Sequence, residues 1–351
     1  MNKTLLKLPL SVWGLVMSMH AIAENIVDVY GAEFRVSEEI IRKYANAVGE
    51  IEGLLQNAAK TIRHGMVNSE VNKILLKKKL LAEKIKEESD FLFVDFDTVF
   101  YPNNKNQYTT IEVVNKTQAD RLRFIHPVVN DKNYQSKNDL IDHMINFERL
   151  EMELLMNNQL DTRDVSCPVY HCFSGFHHPK LKPYLKVFNA GAIKEKKLIV
   201  QTLNHDPHPE RRAAAAFLMG HFPHPEEIIS LLLPHVNDPY GLVRNNVIRV
   251  IAATMAKAKI TQIDVIPFLE LLDSPEDTDR NKALYVLLTA AESEPTKKVI
   301  AQKGGQRLLA LLQLKQPNNH EPAYHLFKKI SGKDFGEDNV MAWANWLKAQ
   351  A

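Results

Sequence analysis

The sequence predicts a mostly α-helical protein, in which an α-α superhelix of stacked helical pairs follows a smaller α+β module. One observation is a recurring turn: Asp206-Pro207 and Asp238-Pro239 stand 32 residues apart, and Asp273-Ser274-Pro275 follows. A second is that an apolar helical segment precedes each turn and another follows it. Repeats of about 30 to 45 residues with two helices each are typical of a helical solenoid. The composition, 45% hydrophobic and 25% charged, is that of a globular chain.

The first 23 residues predict a secretory signal peptide. Lys3 and Lys7 precede the apolar stretch LPLSVWGLVMSM, and the small residues of Ala21-Ile22-Ala23 suit cleavage after Ala23. A buried N-terminal helix is the alternative, whereas a membrane anchor needs an apolar run of about 20 residues. We therefore expect a periplasmic or secreted protein without a transmembrane segment in the mature chain.

The charge of the predicted mature chain argues against nucleic-acid binding. Loss of Lys3 and Lys7 from 44 basic residues leaves 42, which equals the number of acidic residues. A protein that binds nucleic acid mainly through phosphate contacts usually carries excess positive charge.

Residues 24–160 are predicted to form the α+β module. Apolar residues spaced by three and four predict helices over 37–64 and from about Ser69 to Ser89, joined as an antiparallel pair.

Aromatic and β-branched residues then predict a β-hairpin over 91–115, with its turn at 102–106. Helical spacing returns over 136–160, where Ser136 is the expected N-cap.

Residues 161–184 are predicted to be an irregular connector and the domain boundary. Cys167 and Cys172 are the two cysteines of the chain, and export favours a disulfide between them. A zinc site that adds His171, His177 and His178 is the alternative, but the spacing is awkward for tetrahedral ligation. We therefore predict neither a metal nor a cofactor.

Residues 185–330 resemble the HEAT-repeat family, because Asp-Pro, a short polar run and Arg precede each small-residue-rich apolar helix. The resemblance implies a stacked HEAT-like solenoid and says nothing about function. It also implies structural roles at the turns for six residues: Asp206, Arg212, Asp238, Arg244, Asp273 and Arg280. The fourth turn, at 316–319, departs from the pattern because it lacks both Asp and Arg.

Elementary packing rules explain these repeats. A buried arginine needs a partner, and the carboxylate or carbonyl of the next turn is the expected one. Ala213 to Ala216 allow a close approach of neighbouring helices. Residues 331–351, with Trp343 and Trp346, are predicted to be a C-terminal cap, because an open solenoid must cover its last apolar face.

No catalytic residue is assigned. FLFVDFDTVF resembles the first motif of haloacid-dehalogenase-type phosphatases, with Asp95 as the nucleophile and Asp97 as the acid. That chemistry also needs a parallel sheet and further carboxylates, such as Glu112, so a phosphatase-like hydrolase remains an alternative.

We expect a non-catalytic protein-binding scaffold or a subunit of a cell-envelope assembly. Polar residues outside the apolar stripe of the second helices are the predicted partner contacts: Arg211, Asn246, Arg249, Lys282 and Tyr285. Simple solvation of these side chains is the alternative. The hairpin edge is a second candidate surface. A partner-free exported stability protein remains an alternative function.

A histidine group near the first repeats is a further candidate feature. If these side chains titrated together near pH 6, binding would depend on pH. Roles at helix ends are the alternative. The group consists of His205, His208, His221, His224 and His235.

Overall fold

A computed structural model describes most of the chain. The described residues are 25–59, 69–100, 106–125, 136–157, 159–160, 166–172 and 174–350. The predicted signal peptide and nearly all of the hairpin turn lie outside them. The chain forms two compact units: the N-terminal unit, Met1–Ala119 with Leu312–Glu321, and the helical unit, Asp120–Leu311 with Pro322–Ala351.

The N-terminal unit contains the predicted helical pair and hairpin, and both predictions are confirmed. Its elements are β1 (Asn25–Tyr30), α1 (Phe34–Ala59), α2 (Ser69–Glu88), β2 (Phe93–Phe100) and β3 (Gln107–Val114). The sequence analysis did not predict β1. This strand pairs parallel to β3, with Val29 opposite Ile111, and gives the strand order β1-β3-β2.

One face of this sheet forms the core of the N-terminal unit. Phe96 and Ile111 from the sheet and Val48 and Ile85 from the two helices are fully buried in one apolar cluster. Gly49 of α1 lies against β1, where a Cβ atom would meet the Asn25 side chain at 2.0 Å. A larger residue at position 49 would therefore displace the Asn25 side chain.

The opposite face of the sheet holds polar side chains and joins the second segment of the unit. The buried Asp28 carboxylate accepts from the backbone N–H groups of Lys315 and Gln316 at 2.6 and 3.0 Å. Burial raises the pKa of Asp28, although the two backbone hydrogen bonds oppose the rise. This contact connects β1 to Leu312–Glu321.

Helices dominate the rest of the chain. The 3-10 turns Lys116–Phe124 precede the helices α3 (Leu140–Met156), α4 (Lys182–Lys194), α5 (Lys196–His205), α6 (Pro209–Met219), α7 (Pro225–Leu232), α8 (Gly241–Ala258), α9 (Ile266–Leu271), α10 (Asp277–Ala290), α11 (Glu294–Val299), α12 (Gly305–Leu312), α13 (Pro317–Ser331) and α14 (Val340–Lys348).

The predicted helices before and after each turn are confirmed: α5 packs on α6, α7 on α8 and α9 on α10, and α12 and α13 flank the fourth turn. We call α6, α8 and α10 the second helices. α8 packs between α6 and α10, and the alanines Ala213 to Ala216 are buried in α6. Helix α13, which follows the fourth turn, begins at Pro317 and contains Pro322 in its interior.

The units do not divide where the sequence suggested. α3, assigned from the sequence to the α+β module, packs against α6 and belongs to the helical unit. The boundary therefore follows Ala119 instead of lying in the connector 161–184. Helix α4, which lies partly in that connector, was not predicted.

The C-terminal segment closes against α13. The fully buried Trp343 stacks on Phe327 with ring centroids 5.1 Å apart, and its indole N–H donates to the Gly336 carbonyl at 2.8 Å. Leu347, one turn further on, is also buried. This packing supports the prediction that 331–351 caps the array.

None of the helices in the described part of the chain combines the length and the apolar composition needed to cross a lipid bilayer.

Replacing Trp343 with alanine is expected to destabilise the protein by about 3–5 kcal/mol, because a large buried side chain and its hydrogen bond are lost. Urea unfolding followed by circular dichroism measures this change. Trp346→Ala is the matched control, since Trp346 lies on the same helix but is only half-buried. Equal losses for the two variants would contradict the capping role of Trp343.

Candidate functional site

The turns between paired helices share one hydrogen-bond arrangement. In the first turn the Asp206 carboxylate accepts from the His208 N–H at 3.0 Å, and the Arg212 guanidinium donates to the Asp206 carbonyl at 2.9 Å. The same contacts recur in the next two turns, made by Asp238, Tyr240 and Arg244 and by Ser274, Glu276 and Arg280. Each arginine therefore connects a second helix to the start of its own turn.

The first of these arginines also bridges to the next repeat. Arg212 donates from Nε and Nη2 to the two carboxylate oxygens of Asp238, at 3.1 and 2.9 Å. Both side chains are buried, and a bidentate pair of this kind fixes orientation as well as distance. This is the junction contact that the sequence predicted.

The second bridge uses a different carboxylate. Arg244 lies 2.9 Å (Nε) and 2.7 Å (Nη2) from Oδ2 of Asp279, which belongs to α10 and not to the turn. The turn position holds Ser274, whose hydroxyl donates to Asp279 at 2.7 Å. Asp279 therefore supplies the negative charge that the serine lacks.

Asp273 does not take the place in the turn that the sequence spacing assigned to it. It lies one residue before the equivalent of Asp206 and Asp238. Its carboxylate pairs with Arg307 at 2.6 Å, and its carbonyl accepts from Arg121 at 2.7 Å. In each of the three turns the residue directly before proline takes this place, and in the third turn that residue is Ser274. The sequence prediction chose Asp273 because it followed the aspartate instead of the proline.

Helix α3 covers part of the face that was expected to bind a partner. Arg211 is 1% exposed and forms ion pairs with Asp139 at 2.6 Å and with Asp142 at 2.5 Å, both from the start of α3. It also pairs with Asp206 at 2.9 Å. Burial opposes ionisation of Asp206, but its hydrogen bonds from His208 and the cations beside it hold its pKa below the usual range.

Two further predicted contact residues are also buried. The Asn246 amide donates to the Ala213 carbonyl at 3.2 Å and to the Glu148 carboxylate at 3.3 Å. Lys282 is 5% exposed, and burial lowers its pKa to about 7. The prediction of accessible side chains therefore fails for these two and for Arg211, because packing within the chain encloses them.

Arg249 and Tyr285 are half-buried, and their role as partner contacts stays a prediction. Burial lowers the pKa of Arg249 to about 10, although the charges of Glu148 and Glu151 oppose this effect.

These two acidic residues of α3 lie in an environment that disfavours their charge. Glu151 is 1% exposed and accepts from the Ser174 hydroxyl at 2.7 Å. Burial raises its pKa to about 7 against the effects of Ser174 and Arg249. Burial and the neighbouring Glu151 raise the pKa of the half-buried Glu148 to about 8. Both side chains are therefore substantially protonated near neutral pH.

Beside Glu148 the surface opens into a cleft of about 260 Å³ between α3, α6 and the start of α8. Ile145, Met152 and Leu242 form apolar walls. The polar lining comes from Glu148, Arg149, Glu210 and Asn246. This volume lies below the roughly 300–1,000 Å³ of most small-molecule pockets, so the cleft suits one or two side chains.

The connector contains the predicted disulfide, Cys167–Cys172, with a Cα–Cα distance of 5.7 Å. Lys257 of α8 donates to the Cys167 and Val169 carbonyls at 2.7 and 2.6 Å. The bridge consumes the two thiols of the zinc alternative. Within the described residues, no group of three or more His, Cys, Asp or Glu side chains is placed to hold a metal ion.

Two histidines near the connector are not poised to titrate near pH 6. His171 packs on the Phe217 ring with centroids 4.5 Å apart, and burial lowers its pKa to about 3. Burial likewise lowers the pKa of His221, a member of the histidine group in the first repeats, to about 4. His221 therefore stays neutral over the range where the predicted group would respond.

The carboxylates of the phosphatase alternative lie on β2 and β3, where Asp95 stands opposite Glu112. Asp97 is 70% exposed and pairs with Lys78 at 2.6 Å; Lys78 also lies 3.6 Å from Asp95 and 3.5 Å from the buried Glu52. Burial raises the pKa of Glu52 to about 7. The hairpin thus presents ion-paired charges along β2, an edge strand of the described sheet. Charges of this kind protect a sheet edge from pairing with a further β-strand.

Comparison with known proteins supports the architecture. Residues 197–288 match the family model of HEAT repeats, so the C-terminal half of the chain contains HEAT repeats. Arrays of these repeats usually mediate protein interactions and are typically non-catalytic scaffolds. No significant match was found among curated proteins or among solved structures.

Replacing Arg211 with methionine is expected to destabilise the protein by about 3–5 kcal/mol, because two buried carboxylates lose their partner. Chemical unfolding measures the effect. Arg149→Met is the control, since the exposed Arg149–Glu210 pair at 3.5 Å contributes about 0–1 kcal/mol. Similar losses in both variants would show that the buried ion-pair cluster does not anchor α3.

Glu151→Gln is expected to change how stability depends on pH. The pKa of Glu151 is raised to about 7 in the folded protein. Between pH 5 and pH 7 the unfolded chain therefore loses this proton more readily than the folded chain. The wild type consequently loses stability as the pH rises over this range. Glutamine keeps the acceptor for Ser174 and cannot ionise. The variant should therefore gain on the order of 2 kcal/mol over the wild type between pH 5 and pH 7.

Thermal unfolding at both pH values tests this difference. Lys282, whose pKa is lowered to about 7, affects stability mainly above that range and equally in both proteins. Parallel pH profiles for the two proteins would mean that Glu151 is ionised in the folded state.

Proposed function

We propose that the protein is an exported, non-catalytic scaffold that binds protein partners, as a subunit of a cell-envelope assembly. The observation that carries the proposal is the HEAT-repeat match over 197–288, in an array whose turns are joined by buried arginine bridges. Export rests on the sequence of residues 1–23, with its basic start, apolar stretch and Ala21-Ile22-Ala23.

The buried contacts between consecutive repeats support a binding role. Buried charged bridges hold consecutive repeats in one geometry, so the surface that they present is pre-organised. On that surface the half-buried Arg249 and Tyr285 keep partial access to solvent. Arginine and tyrosine are among the residues that contribute most to protein interfaces.

A partner-free stability protein is the second candidate, and one observation favours it. Arg211 finds its acidic partners on α3 of the same chain, so part of the second-helix face is already covered. No comparable observation favours the hydrolase, since Lys78 pairs with both aspartates of the hairpin.

Capture of a tagged full-length protein from its native envelope under gentle solubilisation tests the proposal. We expect a protein partner to be recovered, and Tyr285→Ala to reduce its recovery at least tenfold because a tyrosine anchor is removed. Quantitative mass spectrometry of the captured material is the measurement.

Lys197→Ala is the matched control, because Lys197 is exposed on the first helix α5, away from the second-helix face. The mass of the recovered protein should also place its first residue at Glu24. Recovery of the tagged protein alone would favour the partner-free candidate, and an intact residue 1–23 segment would contradict export.

A further inference from the structure

We propose that the outer face of α2 binds the surface of a lipid bilayer that contains anionic phospholipids. Its leucines enter the headgroup region and its lysines meet the phosphates. We call this face, which consists of Lys73, Leu76, Lys77, Lys79 and Leu80, the leucine–lysine face. The inference goes beyond the proposed scaffold function and does not rest on it, because α2 belongs to the N-terminal unit and the repeats belong to the helical unit.

Exposed leucines lie at the centre of this face. α2 packs on α1 and β2 through its other side, where Ile74 and Ile85 are buried. Leu76 and Leu80 are 57% and 62% exposed, and Leu75 at the edge of the face is 44% exposed. Residues four apart are neighbours on a helix surface, so Leu76 and Leu80 form one apolar patch. An exposed apolar patch with a polar rim is typical of a contact with another protein or with a membrane.

Lysines surround the two central leucines. Lys73 and Lys79 lie three residues before and after Leu76, and Lys77 lies three residues before Leu80. Side chains at this spacing are neighbours on the helix surface. All three lysines are exposed, and within the described residues none of them forms an ion pair.

The middle of α2 therefore carries positive charge that the described part of the chain does not neutralise. Residues 72–82 contain four lysines and no acidic residue. The fourth, Lys78, pairs with Asp97 at 2.6 Å. Acidic residues return in the last turns of the helix, where Glu83 pairs with Lys86 at 2.6 Å. The three lysines of the leucine–lysine face are thus available to an external anion.

The composition of this face favours an anionic bilayer over an acidic protein. Protein interfaces are enriched in aromatic residues, methionine and arginine and depleted in lysine. Leucine is also under-represented among the residues that dominate protein binding. Helices that lie on a membrane surface, in contrast, combine exposed leucines with flanking lysines. Each lysine close to anionic lipid strengthens binding about fivefold.

A fluorophore attached to α2 of the full-length protein tests the inference. Asn72 is exposed and lies one turn before Leu76. Asn72→Cys introduces a single reactive thiol, because Cys167 and Cys172 form a disulfide. This thiol is labelled with the nitrobenzoxadiazole group, whose emission shifts to the blue in an apolar environment. Since the signal reports on α2 alone, membrane binding through residues 1–23 does not count as support.

Vesicles of phosphatidylcholine and phosphatidylglycerol in equal parts are the anionic probe, and vesicles of phosphatidylcholine are the control. We expect a saturable blue shift with the anionic vesicles and at least about tenfold weaker binding to the neutral ones. The shift should be lost as salt rises from about 0.1 M to about 1 M, because the screening length falls from about 10 Å to about 3 Å. The same label on Gln306→Cys, an exposed position of α12, should not shift.

Lysine variants test the charge of the face. The double variant Lys77→Gln, Lys79→Gln should raise the half-saturating concentration of anionic vesicles about twentyfold, since about fivefold is lost with each lysine. The double variant Lys298→Gln, Lys303→Gln removes the same charge from exposed positions of the helical unit. It should leave binding unchanged.

A leucine variant tests the apolar patch. Leu80→Gln should weaken binding to the anionic vesicles about tenfold, because a half-exposed leucine no longer leaves water. Leu242→Gln is the matched control, since Leu242 is 48% exposed on α8. It should bind like the wild type.

Three results would each overturn the inference: no shift with anionic vesicles, equal binding to both kinds of vesicle, or binding that the α2 variants do not change. Loss of a captured protein partner in Leu80→Gln, without vesicle binding by the wild type, would assign the face to an acidic protein and also overturn it. A captured partner that depends on Tyr285 would still support the scaffold proposal in each of these cases, so the two proposals fail separately.

Discussion

Burial of arginine at the first three turns is the constraint on which the helical array depends. A guanidinium group cannot be left unpaired in a protein interior, because the lost hydration costs several kcal/mol. Arg212 and Arg244 each meet this requirement by reaching both back to a carbonyl of their own turn and forward to a carboxylate of the next repeat. The ion pairs that stabilise the buried guanidinium groups therefore also fix the register of neighbouring repeats.

Helix α3 extends this rule beyond the repeats. Its Asp139 caps the helix by accepting from two backbone N–H groups and at the same time pairs with Arg211. The acidic start of α3 thus occupies part of the second-helix face by pairing with Arg211 of α6. What stays accessible beside it is the cleft around Glu148, so the position of α3 determines which part of the second-helix face a partner can reach.

The helical pairs could be predicted because their signal is local. Apolar periodicity and the Asp-Pro turns depend on neighbours within one repeat, and these features located the helical pairs of the first three turns. The carboxylates of the next repeat that pair with the turn arginines could not be predicted as reliably. Asp279 replaces a turn carboxylate only because Ser274 occupies the equivalent position, and this exchange is visible only when two helices are placed side by side. Likewise, polar character alone does not distinguish the buried Arg211 from an accessible contact.

The two-segment composition of the N-terminal unit has a consequence for biogenesis. Asp28 near the beginning of the chain holds the backbone of Lys315 and Gln316 near its end. Because a ribosome makes the polypeptide from its amino end, nearly all of the repeats are synthesised before this contact can form. Strand β1 therefore lacks its contact with Leu312–Glu321 until this late segment has been synthesised. Contacts between such distant segments form slowly.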